Sequence, residues 1–281
     1  MSNIEGPLMK VSRIAAATLG AMLGAFGCAF AEGLRTGYGD ERLSPRPDPR
    51  PVIAIVIDDL GLDWGRFESV NAMEVPMTLA ILPYGSDAQA MIDRVSPRHE
   101  VMLHLPMAAE RETAPMGPDA VPIGPEDAVR DALLRNLTKI SGYSGVNNHT
   151  GSRTTSDEAA MAIVLEELRE RDLYFLDSRT SPQSVAARVG QSQGAKVIEG
   201  TLFLDGDFGR GGEAHVRAQL EQLETTAKRD GFAIGIGHPY PSTIAVLKTW
   251  APEARTRLRF VTTAELAART ANEDPVHISL R

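Results

Sequence analysis

Carboxylates and imidazoles stand at the ends of four apolar runs in this chain, where hydrolytic chemistry would need them. Ile53-Ala-Ile-Val-Ile stops at Asp58-Asp59-Leu60-Gly61, and Glu100-Val-Met-Leu stops at His104. Two further runs end in histidine, at Asn147-Asn148-His149 and at Ile234-Gly-Ile-Gly-His238. Neighbouring carboxylates at the end of a buried strand repel one another unless a cation or a proton intervenes. One aspartate of the pair therefore suits a metal and the other proton transfer, although Asp-Asp-x-Gly is also good turn or capping chemistry. An aspartate with His104 and His149 makes the facial set that Zn²⁺ and its neighbours use when positions stay open for water. The polar residues around His149 suit hydrogen bonds that fix an imidazole tautomer.

His238 has the type and place of a proton donor to a leaving group, because imidazole titrates near neutrality. Asp177, in Phe175-Leu-Asp177-Ser-Arg179, is the candidate to orient it, with a helix cap as the plainer use of the same residue. Asp205 and Asp207 read as turn residues, and His99, His215 and His277 as helix-edge or tail residues. No serine lies in a Gly-x-Ser-x-Gly elbow, which disfavours a serine nucleophile. No P-loop and no Gly-x-Gly-x-x-Gly after a strand is present either.

These residues need strands beneath them. Strands are predicted at Val52–Ile57, Thr78–Leu82, Glu100–Leu103, Gly145–Asn147, Leu173–Leu176, Thr201–Leu204, Ala233–Ile236 and Arg259–Val261. Helical patterns fall between them, the clearest one opening after Ser156 as cap and carrying Met161, Val164, Leu165 and Leu168 on one stripe. Alternation of strand and helix implies parallel strands, in a barrel or a doubly wound sheet. Reactive residues after nearly every strand favour the barrel, since a doubly wound sheet gathers them at one switch point. The Pro- and Gly-rich stretch Met107 to Pro125 is a long connection of the kind that is often functional.

The chain of 281 residues carries a formal charge of −8 and no basic cluster, so a nucleic-acid surface is excluded. Met9-Lys-Val-Ser-Arg13, an apolar stretch from Ile14 to Phe26 and Ala29-Phe-Ala31 together read as a secretory signal, with an uncleaved anchor or lipoprotein processing at Cys28 as the alternatives. Cleavage after Ala31 removes Cys28, the only cysteine, so any metal must be held by His, Asp or Glu. The expected organisation is a signal over 1–31, a proline-rich linker over 32–50, a barrel domain over 51–270 and a tail over 271–281. The mature protein is expected in the periplasm, without stable membrane insertion.

The residues match a family pattern as well. Asp58-Asp-Leu-Gly61, Leu79-Ala-Ile-Leu-Pro83, His99-Glu-Val-Met-Leu-His-Leu-Pro-Met107, Gly145-Val-Asn-Asn-His-Thr-Gly-Ser152, Phe175-Leu-Asp-Ser-Arg-Thr180 and Gly235-Ile-Gly-His-Pro239 occur in this order. The chain thereby resembles the divergent polysaccharide deacetylase family from Val52 to about Leu266. The resemblance implies an irregular (β/α) barrel of about seven parallel strands. It also implies Asp58 as base, Asp59 and His104 as metal ligands, His238 as acid and Asp177 as its support. The wider superfamily takes its second histidine four residues after the first, but Ala108 stands there, so His149 becomes the third ligand. The superfamily's Arg-x-Pro-Tyr motif is missing. The function implied is metal-dependent removal of an acyl group, N-acetyl first among them, from an acetylated glycan or peptidoglycan-like polymer. Zn²⁺ is the first candidate metal. Binding of a glycan or a partner in the same cleft without turnover is the alternative.

Overall fold

The computed structural model describes residues 48–111, 115–206 and 209–270. The expected signal, nearly all of the linker and the tail lie outside the described residues. The elements run β1 (Val52–Leu60), α1 (Trp64–Asn71), β2 (Thr78–Ile81), α2 (Ala88–Ile92), β3 (Glu100–Met107), α3 (Glu126–Leu137), β4 (Gly145–Thr150) and α4 (Glu158–Glu170). They continue β5 (Tyr174–Asp177), α5 (Ala186–Gln193), β6 (Val197–Glu199), β7 (Leu202–Phe203), α6 (Gly212–Asp230), β8 (Phe232–Gly237), α7 (Pro241–Ala254), β9 (Arg259–Val261) and α8 (Thr263–Thr270). Among the described residues no helix is long and apolar enough to cross a membrane.

Every strand pairing is parallel, in the order β6-β5-β4-β3-β2-β1-β8-β7, with β9 added along the first residues of β1. The two ends of that order are one stretch of chain. Gly200 N–H donates to Asp177 O and Thr201 N–H to Ile234 O, each over 2.8 Å, so Val197 to Phe203 bridges β5 to β8. Counted as one kinked stave, it makes seven around an irregular barrel, the number that the family resemblance implies. The extra strand β6 was not expected. Lys196-Val-Ile-Glu199 offers only two apolar residues, too few for a periodic signal.

Period-two alternation divides the apolar residues into two layers. Ile53, Ile55 and Ile57 of β1 pack with Leu103, Val146, Phe175 and the helices in an outer layer. Val52, Ala54 and Val56 face inward with Met102, Leu176, Ile234 and Ile236. Burial on both faces is why these strands are continuous β-branched runs. Helix α4 buries Met161, Val164, Leu165 and Leu168 as its stripe predicts, but its cap is Asp157, whose side chain accepts from Ala160 N–H. Ser156 instead donates to Ser152 O.

The end of the barrel where the strands begin is closed by a polar cluster around the buried Glu100. Its carboxylate accepts from Thr78 Oγ1, Thr263 Oγ1, Ser144 Oγ, Tyr174 OH and Ala264 N–H, over 2.6–3.0 Å. Burial and that carboxylate push the Tyr174 phenol well above its usual range. Removing the acceptor would leave several buried donors without partners, each costing about 1–3 kcal/mol. Glu100→Ala is therefore expected to lower the unfolding free energy by about 3 kcal/mol or more, read from urea denaturation. A loss below about 1 kcal/mol would show that water replaces the carboxylate.

Candidate functional site

The inward face of the barrel leads straight to the reactive residues. Two residues beyond Val56 stands Asp58, beyond Met102 stands His104, and beyond Ile236 stands His238. On β4 the same parity selects Asn147 and His149. Register sets them at one height: Ile57 lies beside Gly237, His104 beside Asn147, and Pro106 beside His149.

Asp59, next to Asp58, ought to face the other way. A register shift between Ile57 and Leu60 and a left-handed φ of 56° at Asp59 turn it back towards the site. Such a backbone costs about 1–3 kcal/mol for a residue with a side chain. Gly61 completes the turn at φ 107°, where a Cβ would come within 2.9 Å of Leu82 O. After His149 the chain bends in the same manner, with φ 55° at Thr150 and 88° at Gly151.

Asp59, His104 and His149, the ligand set that the resemblance implies, lie together. Asp59 Oδ1 lies 3.2 Å from His104 Nε2 and 3.0 Å from His149 Nδ1, and the two nitrogens are 3.1 Å apart. Their donor atoms form the one such cluster found among the described residues. His149 turns Nδ1 inward because its Nε2 faces Pro115 O at 2.9 Å, from the long Met107–Pro125 connection. Asp59 Oδ1 is buried with no hydrogen bond of sound geometry, although both imidazoles are close. Ligands about 2.0–2.2 Å from a Zn²⁺ ion sit about 3–3.4 Å from one another, so these three atoms fit a divalent metal. Burial disfavours charge on both Asp59 and His104; yet His104 and His149 hold the Asp59 carboxyl far below its usual range, and Asp58 and Asp59 hold the His104 imidazolium above its own.

Asp58 is 2% exposed and accepts from Asn147 Nδ2 over 2.7 Å. Burial pushes its carboxyl above the usual range, against the pull of His104 and His238. His238 is oriented by Asp205. Its Nδ1 lies 2.8 Å from Asp205 Oδ1, its backbone N–H donates to Asp205 Oδ2 over 2.6 Å, and Thr243 Oγ1 donates to that same oxygen. Burial alone would lower the His238 pKa, but the Asp205 hydrogen bond, reinforced by Asp58 and Asp59, pushes it up to about 9. Phe203 stacks on the imidazole and Tyr240 tilts against it, with centroids 6.3 and 5.4 Å away.

Asp177 is not at His238, which corrects the sequence expectation. It follows Phe175, whose side chain packs in the outer layer, so its carboxylate faces outward too. There it accepts from Arg179 N–H and Ser184 Oγ. Asp205 carries a signal that sequence reading passed over. Leu202-Phe-Leu-Asp205 is another apolar run ending in a carboxylate, and Asp205 shares the parity of Phe203, an inner-layer residue.

The divergent polysaccharide deacetylase family model matches residues 55–267. The protein YibQ of Escherichia coli K12 is 35% identical over 197 residues, which are 70% of this chain and 61% of that one. This chain therefore spans less than two thirds of that relative's length. A Haemophilus influenzae protein is 33% identical over 200 residues, 70% of this chain and 69% of its own. The crystal structure of the protein ATU2773 from Agrobacterium tumefaciens C58 is similar at a TM-score of 0.72 and 29% identity, covering 78% of this chain and 90% of that one. The chain belongs to the divergent polysaccharide deacetylase family.

Proposed function

We propose that this protein is a metal-dependent hydrolase that removes acyl groups, N-acetyl first among them, from an envelope or cell-wall polysaccharide. The observation that carries the reading is the convergence of Asp59, His104 and His149 in a site that also holds the buried Asp58 carboxyl and the His238 imidazole oriented by Asp205. A divalent ion such as Zn²⁺ held by those three side chains would polarise water and lower its pKa towards about 7. Asp58, with burial raising its proton affinity, accepts a proton as water attacks the amide carbon. His238, protonated at neutral pH, donates to the departing amine. Work in the periplasm, after removal of residues 1–31, belongs to the same reading.

Acetate release from a panel of N-acetylated envelope glycans by zinc-loaded protein tests it. Release that never exceeds the metal-stripped control on any member would sink the proposal.

The pair of His238 and Asp205 sets a pH dependence. The folded pKa of His238 is raised, so the stability its ion pair contributes is full below about 6.5 and lost as pH rises through about 9. Loss of that proton should give the rate an alkaline limb above the ordinary imidazole range. Asp205→Asn is expected to move that limb, and the NMR titration of His238, to lower pH. An unmoved titration would show that Asp205 does not hold the proton.

A further inference from the structure

Asn147 lies between the expected base and a metal ligand and touches both. Its side chain is wholly buried. Nδ2 donates to Asp58 Oδ1 over 2.7 Å and lies 3.3 Å from Ser178 Oγ, while Oδ1 is 2.8 Å from His104 Nδ1. An ionised carboxylate only accepts hydrogen bonds, so the amide NH₂ must face Asp58. Its oxygen then faces His104, and an amide oxygen also only accepts. His104 therefore carries a proton on Nδ1, so Nε2 is the nitrogen left to bind a metal. That is the nitrogen aimed at Asp59 and His149.

Asp58 and His104 do not bond directly, since Asp58 Oδ1 and His104 Nδ1 are 3.8 Å apart. With Asn147 absent, Asp58 would be the nearest carboxylate to the His104 Nδ1–H, and base and ligand could collapse onto each other. Strand parity places only one of the two adjacent asparagines here. Asn148 faces away and bonds Thr150 O, Thr180 Oγ1 and Ser178 N.

We propose that Asn147 is the positioning residue of this site, fixing His104 as an Nε2 donor while holding Asp58 apart as a free base. The inference rests on the metal-hydrolase reading above and adds the residue that keeps its two halves distinct. Aspartate at this position can still accept from His104 Nδ1–H but has no N–H for Asp58. Alanine can do neither. Asn147→Ala should thus weaken zinc binding about 10–100-fold, whereas Asn147→Asp should bind zinc within about threefold of wild type. Asn147→Asp should nevertheless lose turnover about 10²-fold, because Asp58 has lost its donor and gained a like charge.

Zinc affinity by chelator competition, turnover, and the ¹⁵N imidazole spectrum of the zinc-loaded proteins decide it. The spectrum of wild type and of Asn147→Asp should show the His104 proton on Nδ1. A purely structural role would make both variants lose zinc together, so failure of aspartate to rescue affinity overturns the proposal. Wild-type affinity in Asn147→Ala overturns it as well. If that variant does not fold, the zinc affinity and spectrum of Asn147→Asp still give the answer. Wild-type protein that binds no zinc is a different result, which ends the metal reading and takes this inference with it.

Discussion

His149→Ala is expected to release the metal while leaving the barrel folded. His149 sits near the end of β4, 9% exposed, above the apolar layers that hold the strands together. Its polar contacts are with Asp59, His104 and Pro115 O, and it belongs to neither apolar layer, so truncation should leave the core largely intact. What is lost is one donor of three. Changes to residues that merely support a ligand cost about 10–100-fold in metal affinity, and loss of a ligand should cost at least about 10²-fold. Asp59→Ala and His104→Ala should do likewise, and hydrolysis should fall with the metal in all three. Zinc content after dialysis, alongside thermal melting, checks this. Stoichiometric zinc in the His149→Ala protein would remove that residue from the site and leave Asp59 and His104 short of a third ligand.

The strand ends were legible because burial on both faces writes a strand as an unbroken β-branched run, and a charged residue then marks its upper end. Asp58, His104 and His238 could be read in this way. His149 follows the same rule, and Ala108 at the usual spacing makes it the second histidine that the resemblance requires. Parity was the harder matter. Asp177 and Asp205 both follow apolar runs, and only the layer occupied by Phe175 or Phe203 tells which one faces the barrel interior. A single-residue step of that kind is invisible without the partner strands. The reverse happened at Asp59, where alternation alone would have turned the side chain away. A left-handed residue and a register shift keep it in place. Asn147 was hidden for another reason. Its role depends on two partners 43 and 89 residues away, which no local pattern brings together.

Asp58→Asn is expected to abolish turnover while zinc stays bound, and it is the variant that separates hydrolase from binder. Asp58 is not among the converging ligand atoms, and the change preserves size and an acceptor for Asn147 Nδ2. It removes the one group placed to take a proton from water, a loss of about 10²–10⁴-fold. His238→Ala should cost a similar factor by removing the donor to the leaving amine. The double variant should lose less than the product of the two, because both residues serve one sequence of proton transfers. Ala108 at the usual place of a second histidine, and the missing Arg-x-Pro-Tyr motif, give the binding alternative its standing. A binder would hold glycan through the cleft walls, so Asp58→Asn would leave both affinity and cellular function unchanged. A hydrolase would keep affinity and lose function. Unaltered acyl release by Asp58→Asn would reject the assignment of the base even in a protein shown to be an amidase, since no other carboxyl in the described site stands free of both the metal ligands and His238.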